Sequence, residues 1–443
     1  MVKYYFPLVF VFFFLNTIYS QTTAIPDASF EQALIDLGID SDMTINATVL
    51  TSDISSITDL DVSSKNISDL TGIQDFISLT RLQCYSNQLT TVDVTKNTAL
   101  TFLNFNDNQL TGIDLSNNTL VTTLGLAPNL LTSLDISKNT ALSYLQCQAN
   151  QLTTLDVTKN TALSVFLCFS NQLTNLDVSQ NTALTSLNCG RNQLTTLDVG
   201  NNLILNALSC DGNLISSLDL EKNTALTDLN CGSNPLLTSL DITNNTNLTE
   251  IWCNSNPLLT SLDLSNNTVL ELFYGPSTPF TSLDFSKNTA LTVLNCGGNQ
   301  LLSLNLKNGN NSSLIAVNAS SNFLLQCIQV DDETAANADQ APYDAWIKDA
   351  TTFYSEDCQA ALTVDDELLA QGLNLYPNPV TNILRIESEI PLTKVEVYSM
   401  LGKKVKEVNS DFNSISTVNL SNGVYVFKIY SEKGSVTKKL IKY

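Results

Sequence analysis

Between Ile57 and Phe323 apolar and polar positions return on a fixed beat. The unit reads Leu-x-x-Leu-x-Cys-x-x-Asn-x-Leu, as in "LTSLNCGRNQL" from Leu184 to Leu194. Aligned on the cysteine position, the chain gives a ladder of Cys84, Phe105, Leu126, Cys147, Cys168, Cys189, Cys210, Cys231, Cys253, Tyr274 and Cys296. Val62 adds a rung upstream and Ala319 one downstream, for 13 in all. An asparagine follows most rungs by three residues, with Lys65 and Ser277 as the exceptions. Alternation predicts a short strand at each rung, sending Leu187 and Cys189 inward and Asn188 outward. A unit of this length cannot bury its apolar face alone, so successive units must stack into a parallel sheet.

The second half of each unit reads Leu-x-x-Leu-Asp-Val-Ser-x-Asn. It lines up a second row, Asp93, Asp114, Asp135, Asp156, Asp177, Asp198, Asp219, Asp241, Asp263 and Asp284, expected outside on the opposite face. Charges about 5 Å apart in water repel by roughly 0.8 kcal/mol per pair. Turn N–H groups and the lysines three residues on (Lys96, Lys138, Lys159, Lys222, Lys287) are the expected relief. Calcium along the row is the competing, functional reading, although no EF-hand loop occurs.

Both ends of such a stack need covers. "IPDASFEQALIDLGID" predicts a short helix capped by Asp27, with Phe30, Ala33, Leu34 and Leu37 as its apolar stripe and Gly38 as its stop. After Phe323 the period fails, and Trp346 and Phe353 supply apolar area for the second cover. Cys327 and Cys358 lie off the ladder there; a disulfide between them and two free thiols are both open readings. From Leu375 alternating runs such as "KVEVYS" and "VYVFKIY" predict a small β-sandwich of six or seven strands. The expected organisation is 1–20 signal peptide, 21–56 N-terminal helical cap, 57–323 solenoid, 324–362 C-terminal cap, 363–374 linker and 375–443 terminal module.

The repeat resembles the leucine-rich repeat, and more narrowly the cysteine-ladder subclass of internalin-type repeats, over residues 57–323. The resemblance implies a leucine-rich repeat solenoid, a parallel β-sheet with little helix, capped at both ends. The terminal segment resembles the type A C-terminal sorting domain of bacterial type IX secretion. The matching elements are Tyr376, Pro377, Asn378 and Pro379, then "VEVYSMLGKKV" with Gly402, "LSNGVYVFKI" with Gly423, and the closing "KKLIKY". That likeness implies a small Ig-like β-sandwich, the type IX secretion machinery as partner, and a cargo that is secreted or attached to the outer surface of a Gram-negative bacterium.

Composition narrows the function. The chain has 43 acidic and 21 basic side chains and no histidine. Residues 21–374 carry 37 acidic and 10 basic groups, so nucleic acid is disfavoured as a partner. Without histidine the usual general base, the commonest metal ligand and any histidine-activated nucleophile are missing. No cofactor and no metal is expected. The start "MVKYYFPLVFVFFFLNTIYSQ" reads as a signal peptide cleaved near Ser20. The ladder thiols read as small apolar filler, reduced and inert; bridging between coils is the alternative, disfavoured because in-register side chains point the same way.

Two groups stand out on the outward positions of the cysteine strands. One is Phe102, Tyr144, Val165, Leu167 and Phe169, with Tyr85 nearby. The other is Trp252 and Phe273 beside Asp228, Glu250 and Glu271. Exposed aromatics with polar neighbours suit protein anchors and sugar stacking alike; tolerated surface residues are the plain reading. The expected function is a monomeric, non-enzymatic adhesion or recognition protein for a protein or glycan ligand. A surface hydrolase using Glu250 and Glu271, and a structural surface-layer component, are the competitors.

Overall fold

The computed structural model describes residues 21–358, 373–388, 390–400, 402–431 and 434–443. The expected signal peptide lies outside these residues, as does most of the expected linker. The chain divides into two compact units, Met1–Leu142 and Ser143–Tyr443.

In the first unit, Asp27 caps the helix Ala28–Asp36 by accepting from the Ser29 and Phe30 amides. Its second oxygen accepts from the Ser68 and Asp69 amides and the Ser68 hydroxyl, fixing the helix to the first coil. These bonds hold the Asp27 carboxyl below its ordinary range, although its burial opposes the shift. Phe30, Ala33 and Leu34 are buried, and Phe30 stacks on Phe76 at 6.3 Å. Leu37, placed on this stripe by the sequence, is instead exposed. It occupies the C-cap, where the helix has already begun to unwind into the left-handed Gly38 (φ 68°). Glu31 is fully buried, and its carboxylate accepts from the amides of Asn46, Ala47 and Thr48. Beyond this cover, strands Asp59–Asp61, Arg81–Gln83, Phe102–Asn104 and Thr123–Gly125 pair in parallel register.

The second unit has the same architecture, a leucine-rich repeat solenoid of parallel turns with little helix. Nine strands carry the cysteine side: Tyr144–Gln146, Val165–Leu167, Ser186–Asn188, Ala207–Ser209, Asp228–Asn230, Glu250–Trp252, Leu272–Tyr274, Val293–Asn295 and Ala316–Asn318. Each pairs residue for residue with the next, so that Leu187, Leu208 and Leu229 sit side by side. Burying each such leucine contributes roughly 1.5–3 kcal/mol. Cys147, Cys168, Cys189, Cys210, Cys231, Cys253 and Cys296 are free and buried, as is Cys84 in the first unit. Burial raises their thiol pKa values, to about 12 for Cys147, Cys189, Cys231 and Cys296.

Asparagine holds one coil to the next. Asn192 donates from Nδ2 to the carbonyls of Cys168 (3.1 Å) and Cys189 (3.0 Å), and its Oδ1 accepts from the Leu173 amide (3.0 Å). The pattern recurs at Asn171, Asn213 and Asn234. The residue just before each of these asparagines takes left-handed backbone. Ser170, Arg191, Gly212 and Ser233 have φ between 52° and 62°, as have Ala149 and Ser255 before Asn150 and Asn256.

At the far end of this solenoid the opposite side gains a parallel sheet of its own, Ser282–Asp284, Ser303–Asn305, Cys327–Gln329 and Phe353–Ser355. Cys327 and Cys358 are joined by a disulfide with Cα atoms 5.7 Å apart. The rings of Tyr343, Trp346 and Tyr354 cluster, and the Trp346 indole donates to the Leu314 carbonyl at 2.9 Å. Phe353 is exposed and does not join this cover; alternation turns Tyr354 inward in its place.

The last residues form two antiparallel sheets. One contains Leu373–Tyr376, Ile383–Ser388 and Ile415–Ser416; the other contains Leu392–Ser399, Lys404–Val408, Gly423–Ser431 and Gly434–Lys442. They share a core of Leu384, Ile386, Val395, Val397, Phe427, Ile429 and Leu440.

Candidate functional site

From Tyr144–Gln146 to Val293–Asn295 each three-residue strand on the cysteine side buries its middle residue and leaves the first and third half-exposed. What the chain places at those outward positions therefore sets the chemistry of the face. Through Ser186–Asn188 and Ala207–Ser209 they are small or polar. Two stretches of the second unit depart from this.

Tyr144 stands opposite Val165, and Gln146 opposite Leu167, in adjacent strands. The Gln146 amide donates to the Tyr144 hydroxyl at 2.9 Å. Phe169, just past the rung Cys168, is half-buried as well. Phe102, expected in this group, belongs to the first unit. There its ring lies 3.7 Å under the Arg81 guanidinium, which also approaches Asp59 (3.8 Å). Tyr85 is exposed in that unit.

The second stretch corrects the sequence reading. Phe273, expected outside, is fully buried. Register pairs it with Ile251 and Leu294, and its ring meets Phe285 (5.2 Å) and Phe280 (6.3 Å). The rung of this coil is thus Gly275 and not Tyr274, and Tyr274 points outward. A Cβ on Gly275 would lie 2.8 Å from the Phe273 ring and 3.2 Å from Cys253 Sγ, so the absent side chain makes the room that phenylalanine fills. Three residues on, Thr278 takes the place of the missing asparagine and donates to the Cys253 carbonyl at 3.0 Å.

Two coils, Cys231 to Cys253 and Cys253 to Gly275, therefore run 22 residues. Both insert the extra residue at "SNPLL", where Leu237 and Leu259 close tight turns on Asn234 and Asn256. On the outward side of these coils Trp252 and Tyr274 pair with ring centroids 4.5 Å apart. The Trp252 indole donates to Glu250 Oε2 at 3.5 Å. Asp228 aligns with Glu250 in the neighbouring strand, its Oδ2 taking the Thr227 hydroxyl at 2.6 Å. Glu271 is exposed, but sits one residue before Leu272, which is Glu250's true neighbour. Glu250 and Glu271 thus do not form the aligned pair that the hydrolase reading requires. Among the described residues, none of Asp228, Glu250 and Glu271 forms an ion pair.

Sequence reasoning missed Tyr274. Aligning "EIWC" on "LFYG" without a gap puts an aromatic third in both and reveals it. It also missed a second buried asparagine column on the aspartate side. There Asn202 donates to the Val178 (3.1 Å) and Asn181 (2.8 Å) carbonyls, while its Oδ1 has no partner.

The aspartates themselves close local turns. Asp93 accepts from the Thr95 hydroxyl (2.6 Å) and amide (2.9 Å), and Asp241 from those of Thr243. Hydrogen bonds of this kind hold the carboxyls of Asp93, Asp177, Asp241 and Asp263 below their ordinary range. Among the described residues no three Asp, Glu, His or Cys side chains gather so as to hold a metal ion.

In the terminal module, Asn378 of the Tyr376–Pro379 motif accepts from the Ile441 amide (2.9 Å) and donates to the Lys439 carbonyl (3.1 Å). The motif thereby clamps the last strand. The Tyr376 hydroxyl donates to Glu387. Gly402 (φ 72°) turns the hairpin at Ser399, and Gly423 opens the central strand Gly423–Ser431.

Residues 374–443 match the family model of the secretion system C-terminal sorting domain. Among solved structures, the chain is similar to the functional domain of internalin InlJ from Listeria monocytogenes, described as including a cysteine ladder. Identity is 28%, the TM-score is 0.63, and the match covers 96% of this chain and 99% of that one. A leucine-rich repeat protein of Leptospira interrogans matches at 19% identity with TM-score 0.53, covering 68% of this chain and 85% of its own. Internalin InlF of L. monocytogenes matches at 20% with TM-score 0.52, covering 77% and 99%. No curated protein matches. The chain thus combines an internalin-like, cysteine-laddered solenoid with a type IX sorting domain, an arrangement for export to the cell surface or beyond.

Proposed function

We propose that this is a non-enzymatic recognition protein whose cysteine-strand face binds a protein partner outside the cell. The observation that carries the reading is the concentration of half-buried apolar side chains in two places on an otherwise small, polar face. These are Tyr144, Val165, Leu167 and Phe169, and then Trp252, Leu272 and Tyr274. Rigid, partly desolvated aromatics of this kind are the residues from which interface anchors are built. A glycan ligand is the second reading, favoured by the open stacking surface of Trp252 and Tyr274. The absence of histidine and the misalignment of Glu250 with Glu271 support a binding role over hydrolysis.

For the working organisation we keep residues 1–20 as signal peptide, 57–323 as solenoid between caps 21–56 and 324–362, and 375–443 as the sorting module. The mature protein acts as a monomer at the outer surface of a Gram-negative bacterium, or is released from it.

The test uses the chain from Gln21 to Tyr443 on protein and glycan arrays. Saturable binding, weakened by Leu167→Ser with Phe169→Ser or by Trp252→Ala, is the expected result. Turnover of a polysaccharide would replace this reading with the hydrolase. Binding indifferent to all three substitutions would move the interface off this face.

A further inference from the structure

We infer that the Trp252–Tyr274 pair is a seat for a cationic side chain, an arginine or lysine of the partner protein. The inference rests on the reading that the cysteine-strand face binds protein, and it names the chemistry of one site on that face.

Three observations converge. The two rings lie 4.5 Å apart and tilted by 37°, offering π-faces at half-exposed positions. The electronegative face of an aromatic ring attracts a cation, most strongly for tryptophan. Next to the rings stand Glu250 and Asp228, in register on adjacent strands, with exposed Glu271 at the edge. None of the three carboxylates is met by a lysine or arginine among the described residues. Glu250 is moreover oriented, since the Trp252 indole N–H holds Oε2 at 3.5 Å. A ring and a carboxylate tied to each other present one cation with both kinds of attraction at once.

The contrast with the first unit supports the assignment. There an aromatic at the outward position of its strand, Phe102, already has a guanidinium 3.7 Å over its ring, and that Arg81 approaches Asp59 at 3.8 Å. The protein thus fills one aromatic-and-carboxylate pairing from its own chain and leaves the stronger one without a cation. Both coils that carry the rings also run 22 residues, between neighbours of 21 on either side. Departures from an otherwise consistent pattern concentrate where function is set.

A sugar would use the same rings but gains nothing from uncompensated carboxylates unless a cation bridges them. The formal charge of −22 could also draw any basic ligand without a specific seat, so the test must separate position from net charge.

The chain has only two tryptophans, and Trp346 is buried under the terminal cover, so emission changes report chiefly on Trp252. The chain from Gln21 to Tyr443 is titrated at physiological salt with a peptide of alternating arginine and glycine, with its citrulline counterpart, and with maltohexaose. The arginine peptide is expected to shift Trp252 emission saturably, and the other two are not. Its affinity should fall about tenfold in Trp252→Ala, read by labelled-peptide anisotropy, and about threefold or more in Glu250→Gln. Asp198→Asn removes the same charge from the aspartate side and should change it less than about twofold, as expected of a remote, screened charge.

Equal loss in Glu250→Gln and Asp198→Asn, or retention in Trp252→Ala, overturns the seat in favour of diffuse attraction. A response to maltohexaose but not to arginine assigns the rings to a glycan and overturns it as well. If array binding survives Trp252→Ala but is lost in Leu167→Ser with Phe169→Ser, the seat fails while the protein-binding face stands. Loss of neither leaves both wrong.

Discussion

Each coil has two halves, and they obey the same period to different ends. On the aspartate side every turn repeats the same solution. A carboxylate accepts from the amide two residues on, as at Asp93, Asp177 and Asp263, and the outward chemistry hardly varies. On the cysteine side only the inward positions repeat. Outward, the chain passes from Val165 and Leu167 through Ser186 and Asn188 to Glu250 and Trp252. Uniformity outward indicates a wall whose side chains close its own turns; variety outward indicates a surface released from that duty. The asparagine columns differ in the same sense. Asn192 satisfies its donor and its acceptor, whereas Asn202 leaves its acceptor without a partner.

The sharpest way to break this comparison is to truncate one asparagine from each column. Asn192→Ala removes four buried hydrogen bonds and strands the Cys168, Cys189 and Gly190 carbonyls and the Leu173 amide, so it should cost about 3 kcal/mol. Asn202→Ala loses its donated bonds but also removes an unpaired oxygen, and should cost about 1–2 kcal/mol less. Urea unfolding midpoints of the two variants check the order; equal losses would erase the distinction between the columns.

The irregular coil offers the next test. Gly275→Ala forces a methyl against the Phe273 ring and Cys253 Sγ, and overpacking of this kind costs typically ~1–3 kcal/mol. Pairing it with Phe273→Leu should recover part of the loss in thermal unfolding.

Acid probes the aspartate half. The Thr95 hydroxyl and amide hold Asp93 below its ordinary range, and Thr243 does the same for Asp241. The folded state therefore binds protons more weakly than the unfolded chain does. Its contribution is fully present above the unfolded carboxyl value near ~4 and is lost as pH falls through the folded values. Melting temperatures should hold from pH 7 to pH 5 and fall below about pH 4. Thr95→Val with Thr243→Val should soften that fall.

The smallest effect is expected at the left-handed position. Ala149 has φ 53°, which a glycine adopts without a steric cost. Ala149→Gly should gain about 0.5 kcal/mol, and a loss of that size would show that the turn is held by side-chain contacts instead.

Much of this architecture is legible in the residues. Period, inward thiols, the first asparagine column and the aspartate turns all follow from spacing, because a stacked coil repeats whatever its interior demands. The errors are of phase. In a 22-residue coil the sequence does not say where the extra residue goes, and a shift of one residue exchanged Phe273 for Tyr274. The same one-residue ambiguity at the end of an element misplaced Leu37 and Phe353. Of the candidate site, Trp252 and its carboxylates were legible as outward positions, while the ring partner became visible only through register.

The buried sulfur column has a consequence for the protein's life outside the cell. Eight thiols held inside the fold, with pKa values far above neutrality, present oxidants with neither access nor thiolate. Unfolding would release all eight along one chain, where any two could join with no geometry to select the pairs. Opening in an oxidising medium would then become a one-way event: the molecule persists by staying shut, and its durability there is a matter of how slowly it opens.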